Sequence, residues 1–162
     1  MRTAVIYETS FGSTRAVAER IADTLGATLL SVDDPPPDLN DLDLVVVGGP
    51  THVHGMSGKR SRQAAVDQGA TGGTATGVRE WLEQMPHTHR LKAAAFDTRI
   101  DKPQVLTGSA AHKIAKALRR HGCDLVASPE SFFVAGTEPA LDEGQLEHAE
   151  RWAGSLGEAA PG

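Results

Sequence analysis

Short apolar runs recur along the chain, each followed by a stretch with helical periodicity, and no other feature narrows the fold so far. TAVIY (3–7), ATLLSV (27–32), LVVVGG (44–49) and LKAAAFD (91–97) are brief and apolar, which predicts strands buried on both faces. Between them, RAVAERIADTL (15–25) places Ala18, Ile21, Ala22 and Leu25 on one helical face and stops at Gly26. GVREWLEQM (77–85) predicts a helix capped by Thr76 and stopped by Pro86. AAHKIAKALRR predicts one capped by Gly108 and Ser109, and DEGQLEHAERWAGSL one capped by Asp142. CDLVAS and SFFVAG together predict a broken fifth strand. The three prolines of DDPPPDLNDLD leave room for at most one helical turn before the third strand, and SRQAAVDQ offers a short helix in the long loop from Pro50 to about Ala75. Such alternation predicts an α/β three-layer sandwich: an open, doubly wound, five-stranded parallel sheet with right-handed crossovers.

Composition agrees. With 40% hydrophobic but only 4% aromatic residues, the core is built from Ala, Val, Leu and Ile. The 162 residues suit one domain, expected over 1–157 with 158–162 as a frayed tail. A net charge of −5 offers no footprint for nucleic acid. The single cysteine, Cys123, excludes an intramolecular disulfide and a cysteine metal cluster, and reads as a core residue of a protein in a reducing compartment. The amino terminus lacks a signal-peptide pattern and the longest apolar run is too short for a bilayer, so a cytoplasmic location without membrane attachment is expected.

In doubly wound sheets, ligands bind beyond the carboxyl ends of the strands. That restricts attention to three loops, 8–14, 50–75 and 97–108, all rich in Gly, Ser and Thr. The first contains TSFGST (9–14), in which Thr9, Ser10, Ser13 and Thr14 supply hydroxyls and Gly12 lets the backbone approach closely. The following helix turns its free amides and positive dipole end back into the loop. These are components of a phosphate site, although an ordinary strand-to-helix turn with a cap has the same outline. The loop lacks the lysine of GxxxxGK[ST], and no GxGxxG follows a predicted strand, so a single terminal phosphate held by neutral donors fits best.

VIYETSFGSTRAVAERI (5–21) resembles the flavodoxin signature from end to end, and GGPTHVHGM (48–56) resembles that family's second flavin loop. The whole chain is similar in length and element order, most of all to the flavodoxin-domain proteins common in actinobacteria. The resemblance implies strand order 2-1-3-4-5 and non-covalently bound FMN. Its phosphate would be cradled by Thr9, Ser10, Phe11, Gly12, Ser13 and Thr14. Its isoalloxazine would sit between Pro50, Thr51, His52, Val53, His54 and Gly55 on one side and Phe96, Asp97, Thr98 and Arg99 on the other. The implied function is electron transfer or reduction of a small quinone-type molecule, with no side chain needed as acid or base. The partner would be a redox protein or a small-molecule electron acceptor, and a homodimer stays open.

The chain departs from the family where a Trp or Tyr usually stacks on the flavin. Each missing ring forfeits roughly 0.5 to 1.5 kcal/mol, about tenfold in affinity, which keeps open a second class: a binding or regulatory module that has lost or only weakly retains FMN. Arg99, or a protonated His52 or His54, would favour the anionic reduced flavin and hence a moderate potential. His52-x-His54 lacks a third metal ligand, since His87 and His89 precede strand four at the opposite end of the sheet. Lys59, Arg60 and Arg62 either receive an anionic substrate, a nicotinamide cofactor's phosphate or an acidic partner, or form a solvated helix face. Glu8 and Asp97 would suit a receiver-like acidic pocket, but strand three ends in Gly48-Gly49 where such a pocket needs an aspartate. Trp81 and Trp152 are expected to pack helices on the sheet, away from the flavin edge.

Overall fold

The computed structural model describes residues 1–52, 55–70, 76–135 and 140–160. Strand β1 (Thr3–Tyr7) pairs in parallel with β2 (Thr28–Ser31) on one side and β3 (Leu44–Pro50) on the other, and β4 (Lys92–Ile100) follows β3. The fifth position is shared by β5 (Asp124–Leu125), beside the start of β4, and β6 (Glu130–Ala135), beside its end. Pro129 lies in the break, where a residue without an N–H interrupts the ladder. With the split strand counted once, the order is the expected 2-1-3-4-5. A two-residue strand, β7 (Ala140–Leu141), adds antiparallel to β6 and was not expected, because two residues carry no readable periodicity.

Helices α1 (Ser13–Leu25) and α6 (Gln145–Ala159) cover one face of the sheet; α3 (Val78–Gln84) and α5 (Ala110–Arg120) cover the other. Alternation along the strands divides the core. Val5, Leu44, Val46 and Phe96 point toward α1 and α6, while Ala4, Ile6, Val45, Val47, Ala93 and Ala95 point toward α3 and α5. Continued past the apolar stretch, the same alternation sends Asp97 toward α5 and Thr98 toward α1. The proline-rich linker holds a single 3-10 turn, Leu39–Asp41, within the limit of at most one turn. Both tryptophans pack on the sheet as expected, Trp81 from α3 and Trp152 from α6.

Several expectations need correction. Phe96 is fully buried in the α1/α6 core, edge-on to Phe132 and Trp152, and does not face a ligand site. Its ring lies across Gly48 on the paired strand, where any Cβ would overlap it. Helix α1 starts at Ser13, two residues early, and α2 (Lys59–Asp67) starts before Ser61. The residue before α3 is Gly77, not Thr76, and before α6 it is Gly144 at φ 83°, not Asp142. Strand β4 runs to Ile100, so Asp97, Thr98 and Arg99 stand on a strand and not in a loop; the loop beyond forms the single turn α4 (Gln104–Thr107). Helix α6 reaches Ala159 and Ala160 is buried, so residues 158–160 belong to the fold and are not frayed.

Candidate functional site

The three glycine- and hydroxyl-rich loops converge at the carboxyl ends of β1, β3 and β4. At the first, Gly12 takes φ 104°, a left-handed conformation that suits glycine, and Thr9 Oγ1 accepts its N–H at 2.9 Å. This turns the chain into α1 without a capping side chain, so the first-turn amides at Ser13, Thr14 and Arg15 have no intrahelical acceptor. Beside them Ser13 Oγ is buried and has no hydrogen-bond partner among the described residues. A buried hydroxyl and a row of amides without acceptors form a donor set suited to an anion.

Thr14 behaves differently. Its hydroxyl lies 2.7 Å from that of Thr98, and both side chains are buried, so the pair clamps the first turn of α1 to β4. Ser10 joins the first loop to the second: Ser10 Oγ lies 3.2 Å from His52 Nε2, and His52 Nδ1 lies 3.1 Å from Ser61 Oγ at the start of α2. Ser61 Oγ accepts from Gly58 N at 2.9 Å and donates to Gly58 O. With Ser61's proton so committed, every group is satisfied when His52 Nδ1–H donates to Ser61 and Nε2 accepts from Ser10. Burial, reinforced by the Arg62 charge, lowers the His52 pKa below its ordinary value, in keeping with that neutral ring. Of the cations considered beside the flavin, His52 is therefore better described as a neutral strut at pH 7. Val53 and His54 lie outside the described residues.

Pro50 closes β3 against Thr98, and Thr51 turns inward to donate to Asp97 Oδ2 at 3.2 Å. Asp97 is fully buried, and Oδ2 also accepts from Ser109 Oγ at 2.7 Å and Ala111 N at 3.0 Å. A carboxylate at the amide end of α5 is electrostatically favourable, so Asp97 supports the loops from beneath. Arg99 is held along the strand end: Nε donates to Ser131 Oγ at 3.0 Å, Nη1 to Lys102 O at 2.8 Å and Thr107 Oγ1 at 3.2 Å, and the guanidinium lies 5.1 Å from the Phe133 ring centre. Phe11 is half-buried in the first loop, and the Lys113 side chain lies on Gly55 of the second.

A buried polar cluster underlies the second loop, and only part of it was visible in the sequence. Ser57 Oγ lies 2.7 and 2.6 Å from the two carboxyl oxygens of Glu8 and accepts from Arg62 Nη1 at 2.9 Å. Val78 N, opening α3, donates to Glu8 Oε1 at 2.7 Å, and Arg62 is ion-paired with Glu80. Arg62 is thus neither a substrate receiver nor part of a solvated face. One hydroxyl proton cannot fill both short contacts to Glu8; a proton on the carboxyl would. Burial raises the Glu8 pKa above its ordinary value, against the opposing hydrogen bonds from Ser57 and Val78 and the charge of Arg62. Gly77 is required there, because a Cβ would come within 2.5 Å of Glu8 Oε1 and 2.8 Å of Ser57 Oγ. Neither Ser57 nor Gly77 carried a signal in the sequence, since each matters only through residues remote along the chain.

No group of three metal-ligating side chains is assembled among the described residues, and none of their helices is long and apolar enough to cross a membrane. Residues 4–62 match the Flavodoxin domain family. The chain superposes along its full length on a flavodoxin from the domain Archaea, at 18% identity, 100% coverage of both chains and a TM-score of 0.68. Oxidised flavodoxin 2 from Bacillus cereus is similar at 17% identity, 98% and 99% coverage and a TM-score of 0.66. A WrbA-like flavodoxin from Agrobacterium tumefaciens gives 18%, 98% and 96%, and 0.65. No curated protein sequence matches significantly. The fold is that of flavodoxins.

Proposed function

We propose that this flavodoxin-like chain is a redox protein that holds FMN non-covalently at the carboxyl ends of β1, β3 and β4. The carrying observation is the opening of α1, where uncapped amides and the unpartnered Ser13 hydroxyl supply donors without a competing acidic residue or cap. Such a set suits a terminal phosphate ester. FMN, when bound, supplies a ring that accepts and releases electrons.

The chain's own residues bind and orient. Gly12 and Thr9 set the path of the phosphate loop, and the Thr14–Thr98 pair fixes it to β4. Neutral His52 ties it to the second loop through Ser10 and Ser61. Asp97 braces Thr51 and the start of α5. With Phe96 in the core and no Tyr or Trp from 98 to 108, the third loop brings no aromatic ring to the flavin, which supports modest affinity. Arg99, at the end of β4 and engaged by Ser131, Lys102, Thr107 and Phe133, is a cation beside that loop and favours a moderate potential.

A titration of purified protein with FMN and with riboflavin, followed by stepwise reduction, tests the reading. FMN binding stronger than riboflavin binding, with a reversible potential, is expected. Equal affinity for the two would remove the phosphate site. A colourless protein indifferent to both would leave a binding or regulatory module on this fold.

A further inference from the structure

Among the described residues the large hydrophobic side chains left exposed, apart from Met1, are Ile100 at 39%, Val105 at 86% and Leu106 at 62%. All three flank or form α4, beside the third loop of the proposed FMN site. Gln104 of α4 lies 3.5 Å from His112 in the first turn of α5, so the apolar turn abuts that helix. Helix α5 carries no acidic residue, and Lys113, Lys116 and Arg120, three and four residues apart, form one exposed stripe along it. The stripe begins where Lys113 covers Gly55 and ends at a groove of about 500 Å³ between α3 and α5, which Arg79, Arg120 and His121 line with Glu83 as its acid.

Among the described residues Lys113, Lys116 and Arg120 form no ion pair, so their charges face solvent. Arg120 suits the negative end of the helix dipole, but Lys113 stands in the first turn, where a cation opposes the dipole. The stripe lies on a chain of net charge −5, so distant charges repel an acidic body and the near ones attract it. At physiological salt, screening over about 8 Å lets the near charges decide.

The geometry points to a docking face for an acidic electron-transfer protein, with Val105 and Leu106 as its apolar contact and the α5 stripe as its charged flank. The face adjoins the loops proposed to hold the flavin, and its redox meaning rests on that proposal. An acidic protein suits the patch better than nucleic acid, because two exposed aliphatic side chains have no phosphate to meet and the remaining surface is acidic overall.

The test is a titration of the apo and FMN-supplemented protein with a plant-type [2Fe–2S] ferredoxin, an acidic protein, followed by amide chemical shifts. Basic cytochrome c and a short DNA duplex serve as controls. Binding to ferredoxin is expected, weakening as salt rises, with shifts at α4 and α5. The double variant K113E/K116E should weaken it about tenfold or more, and V105S/L106S should weaken it without changing the salt slope. Absence of ferredoxin binding at low salt, insensitivity to K113E/K116E, or tighter binding to cytochrome c or DNA would each overturn the proposal. Because docking is read on the apo protein, ferredoxin binding without FMN binding would leave the face standing and remove the redox reading. FMN binding without ferredoxin binding would do the reverse.

Discussion

Replacing Ser13 with alanine should move two measurements in opposite directions. In the protein alone, Ser13 Oγ is buried without a partner, and an unmet buried hydroxyl costs about 1 to 3 kcal/mol. Removing it relieves most of that cost at the expense of a void the size of one oxygen, so the apoprotein should gain about 1 kcal/mol. For a chain of this size, that raises Tm by roughly 2 to 4 °C. With FMN the sign reverses. A hydrogen bond to a charged phosphate contributes about 1.5 to 3 kcal/mol, so its loss should weaken FMN about 10- to 100-fold. Riboflavin, which lacks the phosphate, should bind Ser13→Ala as it binds the natural protein. Quenching of flavin fluorescence on titration, beside thermal unfolding of the apoprotein, reads both effects. An unchanged Kd for FMN, or equal losses for FMN and riboflavin, would refute the assignment of that hydroxyl to the anion site.

Thr14→Val should cost about 1 to 3 kcal/mol in chemical denaturation by stranding the Thr98 hydroxyl, and the double variant with Thr98→Val should recover part of the loss; strict additivity would contradict the clamp. Gly77→Ala pushes a Cβ into Glu8, Ser57 and Arg62 and should destabilise by about 1 to 3 kcal/mol, seen as a lower urea midpoint. Glu8→Gln tests the buried carboxyl through pH. Because burial lifts the folded pKa above the ordinary carboxyl value of 4.5, the natural protein's contribution from Glu8 is full below that value and is lost as pH rises through the folded pKa. The stability of Glu8→Gln relative to the natural protein should therefore increase with pH from about 4.5 and then level off; a flat difference across unfolding curves would contradict it. Gly48→Ala should be poorly tolerated, with little soluble protein on expression, since the Phe96 ring has nowhere to go within its core.

The fold was legible because its determinants are local. Val5, Val45 and Ala94 sit in runs whose composition already says buried strand, and Ala18 and Ile21 recur at the helical period. The uncapped turn into α1 was legible for the same reason: Gly12, Ser13 and the start of α1 are neighbours along the chain, so their geometry follows from the turn they form. Boundaries were read less well. Thr76 and Asp142 look like caps in isolation, yet Gly77 is taken as the last residue before α3 because Glu8, 70 positions away from Val78, accepts that helix's first amide.

Which faces the alternation presents was settled by packing across the sheet. Phe96 follows a run of alanines toward the ligand end, and from sequence alone it belongs to the third loop; its register opposite Gly48 turns it into the core instead. Arg62 looks like one of three clustered cations, and only the approach of α3 gives it Glu80 and buries it. Local chemistry thus determined the strands, the helices and the uncapped turn into α1. Partners distant in the chain decided which polar groups are sealed inside and which remain to meet a ligand, because desolvation and hydrogen bonding depend on what arrives from elsewhere in the fold.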